Sequence, residues 1–383
     1  MKAKPKILFV GAEDWQFCIF RLPVAREARD AGWDVAVATC VNSKDDADHI
    51  VAEGFRLIPL KDFRRGGLQP WREWSSIREL VRIYRLEKPD IVFHAALKPV
   101  LYGSLAARIC GLGRTVNSVT GLGYIFISDH LKARFLRLFV RMAFSLLLNR
   151  KESRLIVQNH DDLQLFSVSG LVHSDRIRLI RGSGVDINRF RPTPEPEGDK
   201  IVVTLVARML WDKGIAEFVE ALRLLKQQGM SFRAQLVGFS DRENQACIPE
   251  SRLHDWQQEG LVEWLGKRED IPDIMAGSNI VVLPSYREGL PKSLLEAAAC
   301  GRAIVTTDVP GCREIVRHSV NGLLVPHRDA DALAAAIKSL LQNGELRRQM
   351  GKVGREMVEQ DFSEEKVVRE TMAVFHSLLA EDA

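Results

Sequence analysis

Residues 285–305 read SYREGLPKSLLEAAACGRAIV, and the fold turns on them. An apolar run, NIVVLPS (279–285), stops where Gly289 and Pro291 interrupt the chain. Alanine and leucine then dominate as far as Cys300, and Gly301 leads into a β-branched run, AIVTTD (303–308). Proline suits the first turn of a helix, where its missing N–H costs nothing, and glycine suits the position just past a helix end. The stretch therefore predicts strand, loop, a helix over about 291–299, and a second strand. Free N–H groups and the dipole at such a helix start attract anions such as phosphate. Glu288 belongs at the mouth of that site and Glu296 on its flank, with Gly289, Leu290 and Pro291 supplying the loop backbone. Paired carboxylates accept hydrogen bonds from vicinal hydroxyls, which fits a sugar nucleotide. Two routine surface glutamates would leave the same spelling.

The same alternation extends in both directions. KILFV (6–10), DVAVAT (34–39), RLIPL (56–60), DIVFHA (90–95) and RLIVQN (154–159) read as strands, with amphipathic stretches at 20–31 and 73–87 between them. RPTPEPEGD (191–199), rich in proline and acid, reads as a linker. Beyond it come KIVVTLVAR (200–208), a helix at 214–228, RAQLVG (233–238), LVEWLG (261–266) and GLLVP (322–326), then helices at 329–341 and 363–380. Such alternation predicts two α/β, doubly wound Rossmann-like domains. Their expected bounds are 1–190 and 200–360, with 361–383 a terminal helix able to pack back on the first domain. Ligands of such sheets bind outside the carboxyl ends of strands, here expected in a cleft between the halves.

Composition narrows the class. With 383 residues, 46% hydrophobic and 27% charged, the chain suits two folded domains rather than disorder. Six scattered cysteines form no CxxC pair, so neither a zinc site nor a disulfide framework is expected, and a reducing cytoplasm fits. The start MKAKPKILFVGAEDW meets Glu13 and Asp14 too soon for a signal peptide. The net charge of +4 is unevenly shared: 30 basic against 20 acidic residues to position 190, then 24 against 30. A basic first half predicts an anionic partner there.

A second constellation is LVARMLWDKGIAEFVEAL (205–222), which carries Arg208 at a strand end and Lys213 in the following loop. Two cations so placed can neutralise a leaving diphosphate, unless they are a surface ion-pair motif. Together, these features resemble the retaining family 4 glycosyltransferases of GT-B fold. The E-x7-E spelling is matched by Glu288 and Glu296, ARMLWDKG is similar to the family's phosphate motif, and RGSGVDINRF (181–190) to the segment before the linker. FRLPVAREARDAGWDV, TGLGYIF and LPSYREGLPKSLLEAAACGRAIV further resemble bacterial enzymes extending undecaprenyl-diphosphate sugars. Among these, the best likeness is to the α-1,3-N-acetylgalactosaminyltransferases acting on a diacetylbacillosaminyl lipid. The resemblance implies a UDP-sugar donor, GalNAc by preference, and retention by same-face substitution. It assigns the ribose to Glu296, the donor sugar to Glu288, and the diphosphate to Arg208 and Lys213.

In the first half, Gly11, His94, Lys98, Thr120, Gly121 and Gly123 are the candidates. Many relatives carry a histidine in the GLG loop where Thr120 stands, so His94 is the alternative catalytic histidine and Lys98 the nearby cation. A lone histidine among apolar residues is also a common core residue. Asp46-Ala47-Asp48 spells a metal motif of another glycosyltransferase fold but reads here as a helix start, which leaves no obligatory metal expected. Segment 131–154 carries seven basic residues against Glu152 alone, with Leu131, Phe135, Leu138, Phe139, Met142 and Leu146 on one helical face and Arg134, Arg137 and Arg141 beside them. That profile predicts contact with the inner-membrane surface on its cytoplasmic side, or a core helix with snorkelling arginines. A lipid-linked saccharide would then reach the first domain. A soluble transferase on a non-lipid acceptor and a sugar-nucleotide 2-epimerase remain alternatives. Nucleic-acid binding lacks the interleaved aromatics and recognition motifs it needs.

Overall fold

The computed structural model describes residues 4–63, 70–120, 131–198 and 200–380. They form two compact units, Met1–Ser183 with Glu365–Ala383, and Gly184–Glu364.

The first unit runs β1 (Lys6–Val10), α1 (Asp14–Phe20), α2 (Leu22–Asp30), β2 (Asp34–Thr39), α3 (Lys44–Ala52), β3 (Arg56–Pro59), α4 (Pro70–Glu87), β4 (Ile91–Ala95), α5 (Leu97–Ile109), β5 (Thr115–Ser118), α6 (Leu131–Leu148), β6 (Ser153–Val157), α7 (His160–Val168) and β7 (Ile177–Leu179). All strands pair in parallel, in the order β3-β2-β1-β4-β5-β6-β7. The second unit holds β8 (Ile201–Val206), α8 (Ile215–Gln227), β9 (Phe232–Val237), α9 (Glu250–Gln258), β10 (Glu263–Trp264), α10 (Ile271–Ala276), β11 (Ile280–Leu283), α11 (Lys292–Ala299), β12 (Ala303–Thr307), α12 (Cys312–Ile315), β13 (Gly322–Val325), α13 (Ala330–Gln342) and α14 (Gly344–Asp361). Its sheet is also parallel, ordered β10-β9-β8-β11-β12-β13. Strands covered by helices on both faces need apolar side chains on both, which is why the central ones are near-continuous Val, Ile and Leu. Strand order reverses between β1 and β4 and between β8 and β11, and such switch points open crevices at the carboxyl edge.

The last helix, α15 (Glu364–Ala380), returns to the first unit. It buries Val367, Met372, Phe375 and Leu378 against Phe9, Trp33 and Phe93. The Phe375 ring lies 5.8 Å from that of Phe93 and 6.0 Å from that of Trp33. The division falls at Ser183, ahead of the proline-rich segment, which is no free linker. Arg302, 1% exposed, donates to the Thr193 hydroxyl and the Pro194 carbonyl, while Arg347 holds Glu195 in a bidentate pair at 2.6 and 3.1 Å. Two buried guanidiniums distant in sequence thus fasten the segment to the second unit. Composition shows its prolines but not these partners.

Two strands lie outside the sequence expectation. TVNS (115–118) is short and polar, and its buried polar side chains bond one another and Ser153, His94, Ser104 and Arg21. Ile177–Leu179 is a three-residue edge strand. Replacing Phe375 by Ala should cost about 3–5 kcal/mol through the cavity left behind, read as a lowered urea midpoint.

Candidate active site

The second unit's carboxyl edge gathers most of the expected residues. After β8 the chain passes Arg208, makes a 3-10 turn at Trp211–Lys213, and enters α8 through Gly214 in a left-handed conformation, φ 71°. A Cβ on Gly214 would fall 2.0 Å from the Pro284 carbonyl oxygen. Glycine therefore lets the exits of β8 and β11 lie against each other. The Tyr286 N–H donates to the Asp212 carbonyl at 2.9 Å and stitches them together. From the other side, the Glu288 N–H donates to the Pro310 carbonyl, and a Cβ on Gly311 would fall 2.6 Å from the Gly289 carbonyl oxygen. The loop 285–291 is held between two glycines, both at positive φ.

Within that clamp the Lys213 ammonium donates to Glu288 Oε1, which also accepts from the Ser285 hydroxyl at 2.6 Å. Arg208 donates to Asp241 Oδ2 at 2.7 Å. Asp212 lies among these charges: burial pushes its carboxyl up, Lys213 and Arg208 pull it down, and Glu288 raises it. Its Oδ1 is buried without a hydrogen-bond partner among the described residues. The helix starts at Lys292, so Pro291 is its cap rather than its first residue, and Leu290 is buried beneath the turn. Glu296 stands one turn in. Burial lifts its carboxyl to about 7, with Lys292 and Arg189 drawing it the other way. Lys213, Arg208, Asp212 and Glu288 thus gather where the exits of β8 and β11 meet, and Glu296 stands in the first turns of the helix that follows, an arrangement able to hold a diphosphate beside hydroxyl-rich groups. Asp241 and Ser285 were not expected. Asp241 has no local signal, because it meets Arg208 only through the β8–β9 pairing.

The first unit corrects one assignment. His94 is fully buried: its Nδ1 donates to Asn117 Oδ1 at 2.7 Å, and its Nε2 accepts from the Tyr84 hydroxyl at 2.8 Å. Burial pushes its pKa down to about 4. A Cβ on Gly103 would fall 2.3 Å from the ring. His94 is a satisfied interior histidine, not a base open to substrate. Lys98 pairs with Glu73 at 2.8 Å, under the rings of Phe63 and Tyr102. Gly11 closes β1 by donating to the Ala38 carbonyl, and Thr120 is half-buried beyond β5. Gly121 and Gly123 lie outside the described residues.

Arg21 is a further candidate. It is 6% exposed, donates to the Ser118 hydroxyl at 3.0 Å and lies over the Phe93 ring, with no carboxylate partner among the described residues. Burial lowers its pKa to about 10. Next to it in the fold, Ala96 carries φ 79° at the N-cap of α5, and its N–H donates to the Ser118 carbonyl.

Segment 131–154 divides. Val140, Phe144 and Leu148 of α6 are core, whereas Met142 and Leu146 are exposed. Arg150 donates to the Leu112 carbonyl, and Arg154 is buried in β6, so the basic run is not a single helical face. The side chains of 131–139 lie outside the described residues. Asp46 lies in the first turn of α3, its N–H donating to the hydroxyl of the capping Ser43, as expected of a helix start.

The raised carboxyl of Glu296 gives a pH signature. Between its ordinary value of 4.5 and about 7, the unfolded chain ionises while the native site resists, so the native state loses stability as pH rises. Glu296→Gln should therefore unfold at the same temperature as wild type below pH 4.5. It should gain stability over wild type by roughly 2–3 kcal/mol above pH 7, as measured by calorimetry.

Comparisons with known proteins agree with this geometry. Residues 186–357 match the family model for glycosyl transferases group 1, and residues 6–159 that for glycosyl transferase 4-like proteins. The chain is 30% identical over 345 residues to the N,N'-diacetylbacillosaminyl-diphospho-undecaprenol alpha-1,3-N-acetylgalactosaminyltransferase of Campylobacter jejuni, covering 87% of this chain and 88% of the relative. It is 25% identical to the UDP-Gal:alpha-D-GlcNAc-diphosphoundecaprenol alpha-1,3-galactosyltransferase of Escherichia coli, over 70% of each. Among solved structures, Anabaena HepE in complex with UDP superposes with a TM-score of 0.76 at 19% identity, over 97% of this chain and all of that one. These likenesses and the two parallel sheets place the chain in one family: it is a family 4 glycosyltransferase of the GT-B fold.

Proposed function

We propose that the protein moves an N-acetylhexosamine, GalNAc by preference, or a hexose from a UDP-sugar to a saccharide linked to undecaprenyl diphosphate, with retention. The observation that carries this reading is the clamped loop, where Lys213 and Glu288 meet at the start of the helix bearing Glu296. The likeness to the C. jejuni transferase supports the acceptor class and the donor sugar.

In this reading Glu296 accepts hydrogen bonds from the ribose hydroxyls and Glu288 from the donor sugar. Arg208, Lys213 and the first-turn N–H groups of α11 take the charge that builds on the departing diphosphate. Arg208 and Lys213 now rest on Asp241 and Glu288, so those carboxylates hold the cations in place until the diphosphate arrives. His94, locked in the interior, is not available as a base. In keeping with the family likeness, the departing diphosphate takes the acceptor's proton on the same face of the sugar. The charge is met by side chains and backbone, without an obligatory metal. Arg21 and Lys98 are the cations offered to the acceptor's own diphosphate. A lipid-linked acceptor further implies peripheral association with the cytoplasmic face of the inner membrane, in the region of 131–154.

Release of UDP from a panel of UDP-sugars, with and without a short-chain polyprenyl-diphosphate sugar, tests the proposal. Acceptor-dependent release from a single donor, with the α anomer in the product, is the expected result. Lys213→Ala should lower kcat by about 100-fold or more, as loss of a transition-state charge partner does. Release without acceptor would instead identify an epimerase.

A further inference from the structure

Helix α4 has an unusual solvent face. Trp71 is 71% exposed and Trp74 56%, and Arg78, Arg82 and Arg85 continue their row at three- and four-residue steps, with Leu86, 69% exposed, at its end. The three acids of α4 are turned away and engaged. Glu73 pairs with Lys98, Glu79 accepts the backbone N–H groups of Lys61 and Asp62, and Glu87 pairs with Lys6 and Arg56. What remains open on the helix itself is tryptophan followed by arginine, flanked by the exposed Asp62 carboxylate, which accepts from the Ser75 hydroxyl at 2.6 Å.

The neighbouring helices extend the pattern. α4 packs on α5 and α5 on α6, so the three cover one face of the first sheet. This layer also carries Ile109, Met142 and Leu146 in exposed positions. Six of the twelve exposed large apolar side chains among the described residues fall on these three helices. Burying a tryptophan in water-facing packing would hide it; leaving two open at adjacent turns calls for a medium that accepts both an indole ring and its N–H. The headgroup layer of a bilayer does so, and arginines beside it meet lipid phosphates. Pairing with a second copy through the same face would set arginine rows against each other.

We propose that this face of α4 is the surface by which the protein docks on an anionic lipid bilayer, with Trp71 and Trp74 inserted and Arg78, Arg82 and Arg85 on the phosphates. The inference extends the lipid-linked-acceptor reading, and its test reads lipid binding apart from transfer.

The full chain would be sedimented with vesicles of phosphatidylcholine alone and of phosphatidylcholine with about one-third phosphatidylglycerol. Binding should require the anionic lipid and weaken with salt. Replacing Arg78, Arg82 and Arg85 together by Gln should lower the partition coefficient by on the order of fivefold per arginine. Trp71→Phe with Trp74→Phe, which keeps the helix, should reduce quenching of tryptophan emission by brominated lipid. UDP release with a short-chain acceptor in detergent should be unchanged in all these variants. Wild-type protein that ignores anionic vesicles would overturn the proposal. So would α4 variants that bind like wild type while Met142→Ser with Leu146→Ser loses binding, or tighter binding to random DNA than to the vesicles. Vesicle binding without transfer to any acceptor would retain the docking face and reject the proposed reaction. Transfer in detergent without vesicle binding would do the reverse.

Discussion

Everything chemical in the second unit depends on how closely two strand exits can approach. At Gly214 the backbone turns left-handed against the Pro284 carbonyl, with no room for a Cβ. That contact brings the turn carrying Lys213 beside the loop carrying Glu288, and the ion pair follows from it. A charge pair with this little exposure is costly to desolvate, and its energy is recovered only in good geometry. The glycine therefore matters more to the site than any single charge in it. The second glycine, Gly311, lies close against the Glu288 and Gly289 carbonyls and confines the loop from behind.

The first unit handles polarity differently. Its central strands meet a buried chain of hydrogen bonds from Tyr84 through His94 and Asn117 to Ser104 and Ser153. Such networks are stable only when every member is satisfied; the partners on both nitrogens set the tautomer, while burial keeps the imidazole neutral against the pull of the Asn117 hydrogen bond. Arg21 stands beside this network at the end of β5 and answers to a hydroxyl and an aromatic face rather than to a carboxylate. One unit thus rests with its cations on carboxylates, and the other holds a buried guanidinium that has none among the described residues.

The sequence made much of this legible where chemistry is local. The break at Gly289 and Pro291, the Arg208/Lys213 pair and the alternation of apolar runs are adjacent in the chain, and they located both sheets and the loop. What it hid depends on partners far away. His94 looked reactive because nothing nearby in sequence announces Tyr84 and Asn117 on its two nitrogens. The segment 191–199 looked free because Arg302 and Arg347 lie far downstream. TVNS (115–118) carries no strand signal because its polar side chains find their partners on residues far off in sequence, Arg21, His94 and Ser153. The exposed arginines and tryptophans of α4 were visible as letters, but which of its charges were already engaged was not.

The second unit interrupts the first. Its chain enters at Gly184 and leaves at Glu364, and the two passes lie hydrogen-bonded to each other, the Val185 N–H to the Phe362 carbonyl and the Glu364 N–H to the Val185 carbonyl. Only then does the chain supply Phe375 to the socket formed by Phe9, Trp33 and Phe93. During synthesis, which proceeds from the N-terminus, the first sheet therefore waits with an open aromatic socket until the whole insertion has been made. The inserted unit has all its strands in hand before that and is the part able to finish folding first, even though its sequence comes second.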